Sequence, residues 1–410
     1  MRVTHNVQIA LTRIFYCGDA WYHNFMKENL RSYVYRRLCT LAMSAVMFIC
    51  TGCNFNNKGV SNSYPIIADP AYGNTIITMT QEELHAIGIS YGDSVNLDFS
   101  TGVHMEHVPY LSGYYAPIGK PVVTPTYSKQ FLIYAVVKSD GTWNSNNFGK
   151  NDNCRISLCE KDEFDSIEKV RSVKYSNERR DYPNDETFAN FRSVSAGNIK
   201  PGILYRSASP INNERGRAAV ADKLCMENSI KYILDLSDSN DDIQKHFASA
   251  EFNSPYFLEL YSAGNVYALD MDTMYNTAWF QNTVVEGMIA LSEAEEGPYC
   301  IHCIEGKDRT GFVCILLEML CDASYEEIKQ DFLKTYENYY SFTEQSDPNR
   351  AAVIMDTIMD PMIRIIMQDE TADIRTENLQ SSAEHFLLTR GMNVEQIYAL
   401  MENLTGQERN

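Results

Sequence analysis

The rhythm of apolar and polar positions changes near residue 188. Between residues 72 and 165 apolar residues recur at alternate positions in short runs separated by turn residues. In "SVNLDFSTGVHMEHVPYL" Val95, Leu97 and Phe99 share one face, Thr101-Gly102 turns the chain, and a second run returns. "FLIYAVVKSDGTWN" repeats this around Asp140-Gly141. The pattern predicts a small all-β, barrel-like domain over 72–165. A charged stretch, 166–187, reads as a solvated connector.

From residue 188 to 410, short apolar runs alternate with helical periods. "GILYRS" (202–207), "IKYILDL" (230–236), "YFLELY" (256–261) and "PYCIHC" (298–303) read as strands. "TAWFQNTVVEGMIALSEAEE" and "GFVCILLEMLC" carry apolar residues at helical spacing. Ser324 with Glu327 forms a capping box for a further helix, and Asn393 starts the last one. Such alternation predicts an α/β domain with a central, mainly parallel sheet and flanking helices.

The first fifty residues hold a different pattern. "LCTLAMSAVMFIC", Leu38 to Cys50, is uncharged, follows Arg31, Arg36 and Arg37, and precedes "TGC". It is shorter than the about 20 residues a membrane-spanning helix needs. It resembles a bacterial lipoprotein signal covering 1–52, in which Cys53 is lipidated and becomes the mature N-terminus. The alternatives are an ordinary secretory signal or a retained anchor. Cys50 departs from the aliphatic residue usual three positions before the lipidated cysteine, and Met26 is a possible true start. Residues 53–71, rich in Asn and Ser, read as a tether. The protein is therefore expected outside the cytoplasm, anchored to the membrane through its N-terminal lipid.

Composition narrows the partners. An apolar share of 44% excludes global disorder. Removing residues 1–52 takes away six Lys/Arg and two Asp/Glu and moves the formal charge from −19 to −23. So acidic a chain argues against nucleic acid, and an anionic substrate needs a local cationic site. Cys154 and Cys159 are one candidate disulfide, though on a single strand their side chains face opposite ways. Cys225, Cys314 and Cys321 read as core residues. His104 and His107 suggest a metal pair, with nothing nearby in sequence to complete it.

The densest chemistry lies in "YCIHCIEGKDRTGF", residues 299–312: a strand, a loop and the start of a helix. Backbone amides at a helix N-terminus bind oxyanions, Gly306 lets the loop curl, and Arg309 offers a planar two-pronged cation. Those donors also stabilise a thiolate at Cys303. Cys300 and Cys303 form a C-x-x-C, but on an extended strand their side chains diverge.

"HCIEGKDRT" resembles the His-Cys-x5-Arg-Thr phosphate loop of the protein tyrosine phosphatase superfamily. "GKDRTG", together with "NFRSVSAGNIKPGILYRSASP" (190–210), is similar to the bacterial tyrosine/serine phosphatase branch that also attacks phosphoinositides. The likeness covers roughly 188–404. Two departures stand out: Ser237 replaces the arginine of that branch, and Glu305 puts a negative charge in the loop.

The resemblance implies a metal-independent phosphomonoesterase without a cofactor. Cys303 attacks phosphorus and forms a cysteinyl-phosphate, while Arg309 and the loop of Ile304, Glu305, Gly306 and Lys307 hold the equatorial oxygens. Thr310 assists the departing thiolate and His302 orients the backbone. The general acid is Asp308, with Asp235, Asp270 and Asp272 as alternatives; Arg206 braces the cup or pairs with a carboxylate. The substrate is a phosphorylated protein, a phosphoinositide or a soluble inositol phosphate. A non-catalytic phosphate-binding protein is the competing class. The β domain is also similar to the barrel at the C-terminus of S-adenosylmethionine hydroxide adenosyltransferases, from which no activity is carried over.

Overall fold

The computed structural model describes residues 59–295 and 297–407. The signal, Met26 and Cys53 lie outside these residues. No helix among the described residues is long and apolar enough to cross a membrane.

The first layer is an antiparallel sheet of seven strands. It comprises β1 (Val60–Ala68), β2 (Thr75–Ile77), β3 (Ser94–Phe99), β4 (His104–Pro109), β5 (Pro121–Pro125), β6 (Leu132–Val136) and β7 (Asn153–Leu158), in the order β4-β3-β7-β1-β2-β6-β5. A single bridge between Tyr110 and Val123 brings the two edges together, so the sheet nearly closes into a barrel. Val95, Leu97 and Phe99 point into its core with Ile66, Ile77 and Ile156. Two helices decorate it, α1 (Gln81–Ala86) and α2 (Thr142–Ser145).

Two sequence expectations change here. Residues 60–68, read as part of the tether, form β1: Ile66 is fully buried there, and Tyr64 packs against the same core. Asp140-Gly141 does not close a hairpin; Gly141 leads into α2, and β6 pairs with β2 and β5 instead.

The connector holds α3 (Asp165–Arg171), a 3-10 turn (Arg179–Asp181) and α4 (Asp185–Phe188). After it come β8 (Arg192–Val194), β9 (Leu204–Ala208), α5 (Ala218–Glu227), β10 (Tyr232–Asp235) and α6 (Asn240–Ala248). Then follow α7 (Pro255–Ser262), β11 (Val266–Ala268), α8 (Ala278–Glu293), β12 (Tyr299–Cys303) and α9 (Asp308–Leu320). The chain ends with α10 (Tyr325–Tyr340), α11 (Pro348–Ile354), a π-helical turn (Met355–Met359), α12 (Asp360–Met367), α13 (Leu379–Thr389) and α14 (Val394–Thr405). The second sheet runs β11-β10-β12-β9-β8, parallel except for the edge strand β8.

The run "YFLELY", expected as a strand, is helix α7. Pro255 opens it, Phe257 and Leu260 bury one face, and the Asp222 carboxylate accepts the amides of Tyr256 (3.2 Å) and Phe257 (2.6 Å). Six apolar-rich residues fit either period; an acceptor supplied by α5 decides for the helix. The strand that takes its place is the three-residue β11.

Two features position the site. Every residue of α9 from Thr310 to Leu320 is buried, so this helix is the centre of the domain, while its first residues, Asp308 and Arg309, are half-buried. The barrel also shares a core with the second domain: Val122, Ala135 and Val137 pack in one cluster with Tyr275, Phe280 and Phe312.

Candidate active site

β12 lies between β10 and β9 and ends at Cys303; residues 304–307 then turn into α9. Gly306 makes the turn at φ +61°, and a β-carbon there would stand 2.2 Å from the Ser207 carbonyl oxygen, so only glycine fits. The outward carbonyls of the loop are all held. Arg206 donates to the Gly306 oxygen at 3.0 Å, Asn190 donates to the same oxygen at 2.9 Å, and the Tyr339 hydroxyl donates to the Glu305 oxygen at 2.5 Å. In a trans peptide the N–H points opposite to its C=O, so anchoring the carbonyls outward turns the amides toward the concave side.

The anchors are themselves braced. Arg206, 1% exposed, donates its other nitrogen to Asp331 at 2.6 Å, and Arg192 donates to Asp331 at 2.8 Å and to Asn190 at 2.7 Å. Burial works against the Asp331 charge, but Arg192 and Arg206 outweigh it and hold the carboxyl well below the usual carboxylate range.

Cys303 sits on the cup's floor, 3% exposed. Burial disfavours its thiolate; the Arg309 charge, with the Thr310 side chain and amide beside it, overcomes this, and the thiol is held below its ordinary value. Arg309 donates one nitrogen to the Met271 carbonyl at 2.6 Å, while its Nε is buried without an acceptor among the described residues. His302 is fully buried, 3.7 Å from Asp235, and burial pushes it down to about 4, so it is neutral at pH 7.

Glu305 is held by two cations. Its carboxylate pairs with Lys307 at 2.8 Å and Arg215 at 3.2 Å. Lys307 thus enters the site already engaged. Of the four candidate acids, Asp235 is fully buried at the end of β10, beside His302 of β12, with Oδ1 accepting from Ser237 and Asp238. Ser237, in place of the branch's arginine, therefore closes this turn. Asp270 is exposed, at φ +50°.

Asp272 and Asp308 differ in kind. Burial raises the Asp272 carboxyl, opposed by the Met274 amide at 2.7 Å and by Lys138 and Arg309. Desolvation likewise works against the Asp308 charge, but Lys307, Lys138, Arg171 and Arg309 outweigh it, and this carboxyl is held low.

Asn190, Asp331, Tyr339, Lys138 and Arg171 were not foreseen as site residues. Asn190 sits inside the quoted "NFR" stretch, a signal that was available; the others lie in runs that look like ordinary surface helix or turn. Cys154, Cys159, Cys225, Cys300, Cys303, Cys314 and Cys321 are all free thiols. His104 pairs with Asp98 (2.7 Å) and Glu106 (3.1 Å). His107 instead meets Glu163 at 2.9 Å, with Glu160 close by on the exposed surface. A cavity of about 490 Å³ lies between Lys120, Arg364 and Arg390, and no residue from 303 to 310 lines it.

The sequence matches the tyrosine phosphatase family over residues 184–406, more than half of the chain. No curated protein matches it. Among solved structures, the crystal structure of an uncharacterized conserved protein from Thermotoga maritima is similar at 18% identity and a TM-score of 0.21. That likeness covers 24% of this chain and 35% of the other, and no argument rests on it.

Proposed function

The chain belongs to the tyrosine phosphatase family, and from that premise we propose that it hydrolyses phosphomonoesters through a cysteinyl-phosphate on Cys303, without a metal. One observation carries the reading: a thiol stabilised as thiolate lies on the floor of a loop whose carbonyls are all tied outward, beside an arginine with an uncommitted buried Nε. The thiolate attacks phosphorus in line. Arg309 and the loop amides hold the three equatorial oxygens, whose charge they match in the transition state. Water then cleaves the phosphocysteine, with Thr310 donating to the departing sulfur.

The leaving oxygen needs a proton donor, and a donor must be protonated near neutral pH. At Asp308 four cations oppose protonation; at Asp272 burial favours it. We assign the acid to Asp272, on the loop that Arg309 touches, with Asp308 as the alternative. Phosphotyrosine in proteins, phosphoserine or phosphothreonine, and phosphoinositides are the substrate classes this cup suits.

Turnover of p-nitrophenyl phosphate by the full chain in EDTA tests the reading. Activity in EDTA that disappears in Cys303→Ser, while inorganic phosphate still binds, is the expected result. Activity only with added metal, or retained by the serine variant, removes it. Export and lipidation at Cys53 complete the proposal. The wild type should incorporate labelled fatty acid and fractionate with membranes, and Cys53→Ser should do neither; a membrane-bound variant of full precursor mass would mean an uncleaved anchor instead.

A further inference from the structure

Lys138 belongs to the barrel, two residues beyond β6, yet it is clamped to the loop that carries Asp272. Its ammonium donates to the Thr273 hydroxyl at 2.6 Å and lies 5.7 Å from the centre of the Tyr275 ring. Its carbonyl accepts the Asn276 amide at 3.1 Å, and the Asn276 side chain donates to Ser139 at 3.0 Å. Arg171, the last residue of α3, donates to Thr357 at 2.7 Å and lies over the Tyr115 ring at 5.8 Å. Both are half-buried, and neither forms an ion pair with a carboxylate among the described residues.

This is costly in an acidic protein. A partly desolvated cation whose partners are a hydroxyl and a ring loses hydration that a carboxylate would have offset. Lys307, by contrast, is neutralised by Glu305 at 2.8 Å. Lys138 and Arg309 are both fastened to the 271–273 loop, and the charges of Asp308, Lys307 and Arg171 also act on the Lys138 ammonium. The spacing is set by the loop. Arg309 is fixed on the carbonyl of residue 271 and Lys138 on the hydroxyl of residue 273. Two residues of extended chain span at most about 7 Å. Arg309 and Lys138 are thus fastened at positions two residues apart on one loop.

We propose that Lys138 and Arg171 form a second anion subsite, contributed by the barrel and the connector helix, which holds the non-reacting phosphate of a bis-phosphorylated substrate while Cys303 attacks the other. The inference rests on the phosphatase reading above and narrows its substrate class. It also gives the barrel a role: it completes the active site. Asp308, which shares these cations, competes with the second phosphate.

The test compares methylphosphonate with methylenediphosphonate, which resists hydrolysis. Binding to the full-length Cys303→Ser chain is measured by calorimetry in EDTA, so the outcome does not depend on turnover. Hydrogen bonds to charged groups contribute about 1.5–3 kcal/mol, so the diphosphonate should bind at least about tenfold more tightly. Lys138→Met and Arg171→Gln, each added to this chain, should each pull that preference toward parity, and Asp308→Asn should increase it. Lys150→Met, an exposed barrel lysine, should leave it unchanged. Equal binding of the two ligands to the Cys303→Ser chain overturns the subsite even if Lys138→Met fails to fold. Equal weakening of both ligands by Lys138→Met also overturns it, because the lysine then only holds the loop through Thr273. Loss of p-nitrophenyl phosphate turnover in the native chain with the diphosphonate preference intact would instead count against the phosphatase reading alone.

Discussion

Arg309 donates to the carbonyl oxygen of Met271 at 2.6 Å, so the cation proposed to hold the phosphate also holds the loop that carries Asp272. In the proposed mechanism, phosphate binding and placement of the acid are coupled through this one guanidinium. The remaining Nε and the loop amides are left for the equatorial oxygens.

The assignment of the acid gives a leaving-group prediction. Asp272→Asn should slow hydrolysis of phosphoserine, a poor leaving group, by about 10²–10⁴, the usual contribution of general acid catalysis. p-Nitrophenyl phosphate, whose phenolate departs with little protonation, should lose far less. The pH profile adds the sign. Asp272 must be protonated to act and burial raises it, so the wild-type rate on phosphoserine falls on the alkaline side, and the Asn variant loses that fall. If Asp308→Asn shows this signature and Asp272→Asn does not, the acid is Asp308.

Gly306 offers a steric test. Gly306→Ala places a β-carbon against the Ser207 carbonyl at 2.2 Å and forces a side chain into φ +61°. Backbone strain of this kind costs about 1–3 kcal/mol, and here the clash is with backbone that cannot rotate away. The urea midpoint should fall, and phosphate affinity should fall with it because the amides no longer converge. An alanine variant with native affinity would show that the turn does not shape the cup.

Much of this was legible in the sequence, and the failures have physical causes. Cys303, Gly306, Arg309 and Thr310 lie within eight residues, and the local order strand, loop, helix already specifies an oxyanion cup. The capping boxes at Ser324 and Asn393 are local as well, and both form. What could not be read is whatever depends on distant chain. Helix α7 exists because Asp222, over thirty residues away, accepts its first amides. The orientation of the loop depends on Arg206, Asn190 and Tyr339, from three separate elements. Lys138 sits in a "KSDG" stretch that has every mark of a solvated turn; only the packing of the barrel on Tyr275 brings it to the site.

His302 should make stability depend on pH. Its folded value is about 4 against about 6.5 for a free histidine. Between those values the unfolded chain binds more protons than the folded one, so stability rises with pH through that window. Its contribution is fully present above about 6.5 and is lost as pH falls toward 4. One pKa unit corresponds to about 1.4 kcal/mol, so the full loss is on the order of 3 kcal/mol. Denaturation midpoints of His302→Gln should show a shallower slope between pH 7 and pH 4 than the wild type. An unchanged slope would place the acid sensitivity elsewhere, in paired carboxylates such as Asp331.

Arg206 is buried and meets the loop at the Gly306 carbonyl, yet it should control affinity for phosphate. Its two terminal nitrogens serve different partners: one pairs with Asp331 at 2.6 Å and the other holds the Gly306 carbonyl at 3.0 Å. A lysine in its place keeps the charge but presents a single ammonium without the planar fork, and it cannot hold both at once. Removing one partner of a buried pair costs about 3–5 kcal/mol because the other charge is left uncompensated. Asp331→Ala should therefore destabilise the fold strongly, since Arg192 and Arg206 are both left without it. Arg206→Lys should destabilise less but weaken phosphate binding to the Cys303→Ser chain about tenfold, as the Gly306 peptide loses an anchor. The two effects separate bracing from bulk stability. If Arg206→Lys binds phosphate as the parent does while melting lower, Arg206 only supports the fold, and Asn190 and Tyr339 suffice to orient the loop.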